Sequence, residues 1–150
     1  MFKLDNRIEE DSFLVKEFND FQIRIMDVKD VFWAILIPTK INLIELSDLD
    51  IKERNNLINF AIDLGNFLKS KEEYDKINIG MLGNVVSQLH LHLVLRNKDD
   101  PAWPGPVWGF NFHTKLDKEL KEYRSQCILK FNIPKNFFSF MYDPFKIRNK

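Results

Sequence analysis

One cysteine in 150 residues, Cys127, leaves no partner for an internal disulfide. Charge of one sign is missing as well: 22 Lys and Arg face 22 Asp and Glu, a balance with no overall field to gather nucleic acid or an anionic membrane, so neither is expected as a partner. No apolar run nears the roughly 18 residues that cross a bilayer; the longest is residues 31–38. The opening Met1-Phe2-Lys3-Leu4-Asp5 has neither the apolar stretch nor the small-residue site of a signal peptide, and a cytoplasmic location is the expectation. Repeats and low-complexity tracts are also missing. What is present, 45% hydrophobic and 29% charged residues, suits one globular domain that folds alone or as a small oligomer.

Residues 1–20 mix charge with scattered apolar positions and suggest a loop and a short helix wrapping the domain, without fixing either. Residues 21–26 and 31–37 are β-rich and separated by Asp27-Val28-Lys29-Asp30, which is how a hairpin is written. Asp50-Ile51-Lys52-Glu53 has capping-box spacing, and Leu57, Ile58, Ala61, Leu64 and Leu68 continue one apolar side, predicting a helix over residues 51–69. Residues 77–81 read as a short strand, Gly83-Asn84 as a turn, and residues 85–95 as a long strand. Strand, strand, helix, strand, strand with hairpin-length links favours an α+β fold with an antiparallel sheet and its helix on one face. Residues 99–109, with three prolines and two glycines, cannot be regular structure. A C-terminal helix is expected from about Thr114, with Leu116, Leu120, Tyr123, Cys127 and Ile128 at helical spacing. The tail, residues 136–150, carries five aromatic residues and is expected to dock on the domain or on a second subunit. The division this implies is a domain over residues 1–115, with its core at about 21–109, followed by a helix and tail over 116–150.

The most informative stretch is Gln88-Leu89-His90-Leu91-His92-Leu93-Val94. Along a strand, side chains alternate between faces, so Gln88, His90, His92 and Arg96 share one face while Leu89, Leu91, Leu93 and Leu95 share the other. Burial of the leucines fixes the register, since a slip of one residue would exchange the two faces. Neutral imidazole is a good nucleophile at phosphorus, and two of them roughly 7 Å apart by strand rise can serve one polyphosphate, one attacking and one contacting oxygen. Gln88 adds amide donors. Upstream, Gly83, Asn84 and Val85 can bring backbone N–H groups and an amide side chain to a phosphate, glycine permitting close approach.

These residues carry a family resemblance. The run from Gln88 to Val94 resembles the signature of the histidine triad (HIT) family, His-φ-His-φ-His-φ-φ with φ apolar. The apolar strand ending Pro38-Thr39-Lys40 is similar to the family's strand ahead of its central helix; the likeness covers residues 21–109. It implies a five-stranded antiparallel sheet with a central helix and a homodimer sharing ten strands. The implied activity is nucleotide hydrolysis or nucleotidyl transfer at an α-phosphate, on a dinucleoside polyphosphate such as diadenosine tetraphosphate or on a nucleoside phosphoramidate. By position His90 matches the nucleophile that forms a nucleotidyl-histidine, and His92 the histidine that hydrogen-bonds phosphate oxygen. Asn78 is similar to the family's nucleotide-contacting asparagine and Asp27 to its ribose-binding carboxylate. No cofactor is required; Mg2+ enters only with a polyphosphate substrate. Gln88 departs from the pattern, standing where the first histidine should be, and it cannot titrate. Compact bacterial members with the Asp-Pro-Ala-Trp-Pro-Gly-Pro-Val-Trp-Gly segment look closest, which makes the glutamine a subgroup trait. Val85 departs too, where related enzymes often have Ser or Thr.

Other readings stand beside this one. Gln88 and Val85 also fit a nucleotide-binding module without turnover. His-x-His on a strand is also a metal-ligand pattern, and a metal-dependent hydrolase would need a third ligand, for which His113 and Cys127 are the remaining candidates. Cys127 fits a small core residue. Trp103 and Trp108 could stack on a base, yet aromatics among prolines are at least as often loop anchors. Arg96 and Lys40 could reach a phosphate or stay solvated.

Overall fold

The computed structural model describes residues 1–132. In chain order its elements are α1 (Asn6–Asp11), β1 (Ser12–Glu17), β2 (Phe21–Met26), β3 (Phe32–Pro38), α2 (Ile51–Glu72), β4 (Lys76–Gly80), β5 (Leu91–Arg96) and α3 (Lys118–Leu129). The five strands form one sheet in the order β1-β2-β3-β5-β4, with every neighbouring pair antiparallel. The α+β architecture and the antiparallel sheet with its central helix are therefore as the sequence implies. The tail expected to dock, residues 136–150, lies outside the described residues.

The expected capping box forms at the start of α2. The Asp50 carboxylate accepts from the Glu53 N–H (2.8 Å), and Glu53 accepts in turn from the Asp50 N–H (3.3 Å). From there Leu57, Phe60, Ala61, Leu64 and Leu68 point one way and are buried against the sheet. Gly65 lets the helix lie close: a Cβ there would stand 2.9 Å from the Leu93 side chain. Leu89, Leu91, Leu93 and Leu95 join this cluster together with Phe21, Ile23 and Ile25. Each fully buried side chain of this size contributes about 1.5–3 kcal/mol. Cys127, Ile128 and Phe131 bring α3 onto the same core, where the Phe131 ring meets Phe60 at 5.6 Å and Phe67 at 5.3 Å. Arg124 ties α3 to the β2–β3 turn by donating to the carbonyls of Val28, Lys29 and Val31; burial lowers its pKa.

The opposite face of the sheet carries a second apolar cluster, Ile8, Val31, Trp33, Ile35, Ile37, Val94 and Val107, covered by α1 and by the proline-rich segment after β5. Three expectations change. Residues 6–17, where the sequence suggests a loop and a short helix, form α1 and an edge strand. The helix expected from Thr114 begins at Lys118 with Asp117 as its cap, because the Asp117 carboxylate accepts from the Leu120 N–H (2.8 Å) while the Thr114 carbonyl accepts from the Lys29 N–H. The strand expected over residues 85–95 starts only at Leu91. Residues 81–90 are instead a ten-residue link, drawn off the ladder by the Leu89 N–H donating to the Leu43 carbonyl and by Gln88 bonding to the N-terminal segment.

Candidate active site

On the second face a cavity of about 710 Å³ opens beside β5. Both histidines line it, and their rings stand 4.7 Å apart at 74°. Leu82, Gly83, Asn84, Val85 and Val86 bring the β4–β5 link to its rim, with Gly83 at φ 68°, a conformation that glycine adopts without strain. Ile8, Met26, Val28, Trp33, Ile35, Val107, Trp108, Phe110 and Phe112 make the remainder largely apolar and aromatic. A chamber of these dimensions with a few convergent polar groups is what a small-molecule site requires.

The hydrogen bonds of the two imidazoles assign their protons. His90 Nδ1 lies 2.6 Å from the Gln88 carbonyl oxygen, which can only accept, so Nδ1 carries the hydrogen and, in the neutral ring, Nε2 has the lone pair. His92 Nδ1 lies 2.9 Å from Trp33 Nε1, which can only donate, so in the neutral ring Nε2 carries the hydrogen. The pair thus offers one nitrogen nucleophile and one N–H donor. Cross-strand register sets this up, for His92 pairs with Ile35 and Val94 with Trp33, placing Trp33 on the diagonal from His92. Burial, and secondarily the neighbouring His90, lowers the His92 pKa from 6.5 to about 3, so it stays a neutral donor across the physiological range.

This burial has a consequence for stability. Between pH 6.5 and about 3 the unfolded imidazole holds a proton that the folded one does not, so the contribution of neutral His92 is complete above that window and is lost as pH falls through it. The loss is on the order of a few kcal/mol. Urea unfolding at pH 7 and pH 4 should show a smaller acid loss for His92→Asn than for the unchanged protein; an equal loss would contradict the assignment.

Of the other residues expected at the site, Gly83, Asn84 and Val85 line the cavity with the histidines, whereas Gln88, Asn78, Asp27 and Arg96 do not. Because the chain leaves the ladder before Leu91, Gln88 does not share a strand face with His90. Its Oε1 accepts from the Asp5 N–H (3.0 Å) and its Nε2 donates to the Lys3 carbonyl (2.9 Å). Its backbone carbonyl meets His90 Nδ1, and the two residues also line a side chamber of about 150 Å³. Arg96 is neither solvated nor placed for phosphate: it is fully buried, donates twice to Asp100, once to the Gly105 carbonyl and once to Asn78 Oδ1, and lies over the Trp103 ring. Asn78 is thereby engaged as well. Asp27 accepts from the Leu116 N–H and pairs with Lys121 and Lys115. Lys40 pairs with Glu53.

The two tryptophans divide the roles weighed for them, Trp103 anchoring the loop under Arg96 and Trp108 walling the cavity 5.6 Å from His92. Gly80 makes room for Trp108, since a Cβ there would stand 3.0 Å from its ring. Cys127 is buried in the core, as a small apolar residue would be. Among the described residues no three His, Cys, Asp or Glu side chains converge as a metal-ligand group, and no helix is long and apolar enough to cross a membrane. Trp33 was not among the residues expected at the site, although its signal lay in the alternation of β3: Trp33, Ile35 and Ile37 share the face of His92. Arg7 and Asp11 were not expected there either, because α1 is too short to announce itself in the sequence.

Comparison with known proteins matches residues 7–99 to the HIT domain family model. Among solved structures, a histidine triad (HIT) protein from Sinorhizobium meliloti is 34% identical, with a TM-score of 0.81 and 87% of this chain and 96% of that chain covered. A histidine triad protein from Marinobacter aquaeolei is 27% identical, with a TM-score of 0.81 over 95% and 99%. One from Bradyrhizobium japonicum is 28% identical, with a TM-score of 0.80 over 86% and 96%. No curated protein matches the sequence.

Proposed function

Since the chain belongs to the HIT family, whose members generally bind nucleotides and hydrolyse or transfer nucleotidyl groups, we propose that it is a nucleotide hydrolase acting through His90. The observation that carries this reading is the complementary pair of imidazoles in one cavity, whose Nδ1 partners leave the neutral rings with a lone pair on His90 Nε2 and a hydrogen on His92 Nε2. In the first step a bond forms between His90 Nε2 and the α-phosphorus while the bond from phosphorus to the leaving group breaks, and that group departs with the electron pair, a phosphate as its anion and a phosphoramidate nitrogen as ammonia after taking a proton from solvent. In the second, water attacks the same phosphorus, the N–P bond breaks and His90 recovers its lone pair, the water proton passing to solvent. The Gln88 carbonyl holds the ring orientation by accepting the hydrogen bond from Nδ1–H, which the ring keeps as the imidazole becomes cationic. His92 meets charge growing on a phosphoryl oxygen, as do N–H groups of residues 83–85; each such donor can supply on the order of 3 kcal/mol in a preorganised site.

Substrates of the two expected kinds test this directly. Incubated with diadenosine tetraphosphate or adenosine 5′-phosphoramidate, the protein should release AMP, and with the phosphoramidate it should do so equally well in EDTA. AMP binding without release would favour the non-catalytic module. Loss of phosphoramidate turnover in EDTA would favour the metal-dependent hydrolase. The reading includes a homodimer, supported by β4 as the terminal strand of the sheet with Ile79 and Met81 exposed beside it. Equilibrium sedimentation at the mass of two chains is the expected result, and a single-chain mass at micromolar concentration would remove it.

A further inference from the structure

Gln88 has two attachments that pull in different directions. Its backbone carbonyl accepts from His90 Nδ1, and its side-chain amide spans to the N-terminal segment, accepting from Asp5 and donating to Lys3 across more than 80 residues of sequence. Only a group that offers a donor and an acceptor at one end, at every pH, can hold a backbone N–H and a nearby C=O together. A carboxamide does this; an imidazole points its two nitrogens apart and loses its acceptor when protonated. The segment so held leads at once into α1: the Asp5 carboxylate accepts from the Arg7 N–H (2.9 Å), and Ile8 is buried in the cluster with Trp33, Ile35 and Val94.

Arg7 and Asp11 are thereby set on the wall of the cavity that holds His90 and His92. Among the described residues lining it, Arg7 is the sole Lys or Arg. Its link to Asp11 is 3.7 Å between side chains more than half exposed, which competes little with an incoming anion. A polyphosphate brings several negative charges and gains more on its leaving phosphate as the bond to the α-phosphorus breaks, whereas the amine leaving group of a phosphoramidate brings none. A guanidinium can hold two phosphate oxygens at once.

We propose that Gln88 is a positioning residue that seats α1 and that Arg7 is a binding residue for phosphates beyond the one attacked, tuning the site towards polyphosphate substrates; this rests on the hydrolase reading above. The test measures kcat and KM of the unchanged protein, Arg7→Ala, Arg7→Lys and Gln88→Ala on diadenosine tetraphosphate and adenosine 5′-phosphoramidate. For Arg7→Ala the ratio of kcat/KM for the tetraphosphate to that for the phosphoramidate should fall roughly 10- to 100-fold, the span of one lost charged contact. Arg7→Lys should recover part of it. Gln88→Ala should shift the ratio the same way, and adding it to Arg7→Ala should shift it little further, as coupled residues do. An unchanged ratio in Arg7→Ala overturns the inference alone and leaves the hydrolase reading standing, while absence of turnover on both substrates in the unchanged protein overturns both. Because Arg7 is exposed, its variants report even if Gln88→Ala fails to fold.

Discussion

His90→Ala lowers kcat by roughly 10⁴-fold or more, the scale seen when a covalent nucleophile is removed, while AMP binding persists within a few-fold. The split follows from geometry. His90 contributes one ring to a cavity whose walls are mostly Trp33, Trp108, Phe110, Phe112 and aliphatic side chains, so the volume that would hold a nucleotide remains after truncation. The lone pair on Nε2 does not. Steady-state turnover and isothermal titration of AMP check the two halves separately, and residual activity above about one part in a hundred would assign the attack to another group.

Arg96→Met has the largest expected effect on stability. The Arg96 and Asp100 side chains are 1% and 2% exposed, and the guanidinium meets the carboxylate through two hydrogen bonds of 2.6 and 2.9 Å. Removing the cation strands a carboxylate in the interior, at a cost of roughly 3–5 kcal/mol, and unties the Gly105 carbonyl and Asn78. A fall in Tm of about 10 °C or more is expected. The same clasp anchors the proline-rich segment that brings Trp108 over His92, so a loosened cavity should accompany the loss. Replacing both residues, Arg96→Met with Asp100→Leu, should recover stability relative to the single change, since no buried charge is then left alone. A single variant within about 1 kcal/mol of the unchanged protein would show that the pair is not buried in solution.

What could be read in the sequence was whatever depends on local pattern. The Asp50–Glu53 cap and the apolar side of α2 are written within a few residues of each other, and the leucines of β5 fix which way His92 faces, whereas His90 lies just before the strand in the β4–β5 link. What could not be read depends on partners far along the chain. β1 is an edge strand with a single buried residue, Ser12, so it lacks the alternation that marks a strand, and α1 has six residues and a cap whose worth appears only once Gln88 holds its entry. Residues 85–90 look extended by composition, yet bonds to Leu43, Asp5 and Lys3 outweigh the ladder. The same limit applied to Arg96, for which solvent and phosphate were both plausible partners and Asp100 was the actual one. Trp33 needed the register of β3 against β5 before its indole could be placed on His92.

The proposal that His90 Nε2 is the atom that bonds phosphorus is tested most directly by quenching the protein during turnover of diadenosine tetraphosphate and mapping the modified peptide by mass spectrometry. The predicted result is an acid-labile addition of one adenylyl group on the peptide carrying His90, at Nε2, absent in His90→Ala. AMP release with no addition at any time, or with the addition on His92 or another residue, would contradict it.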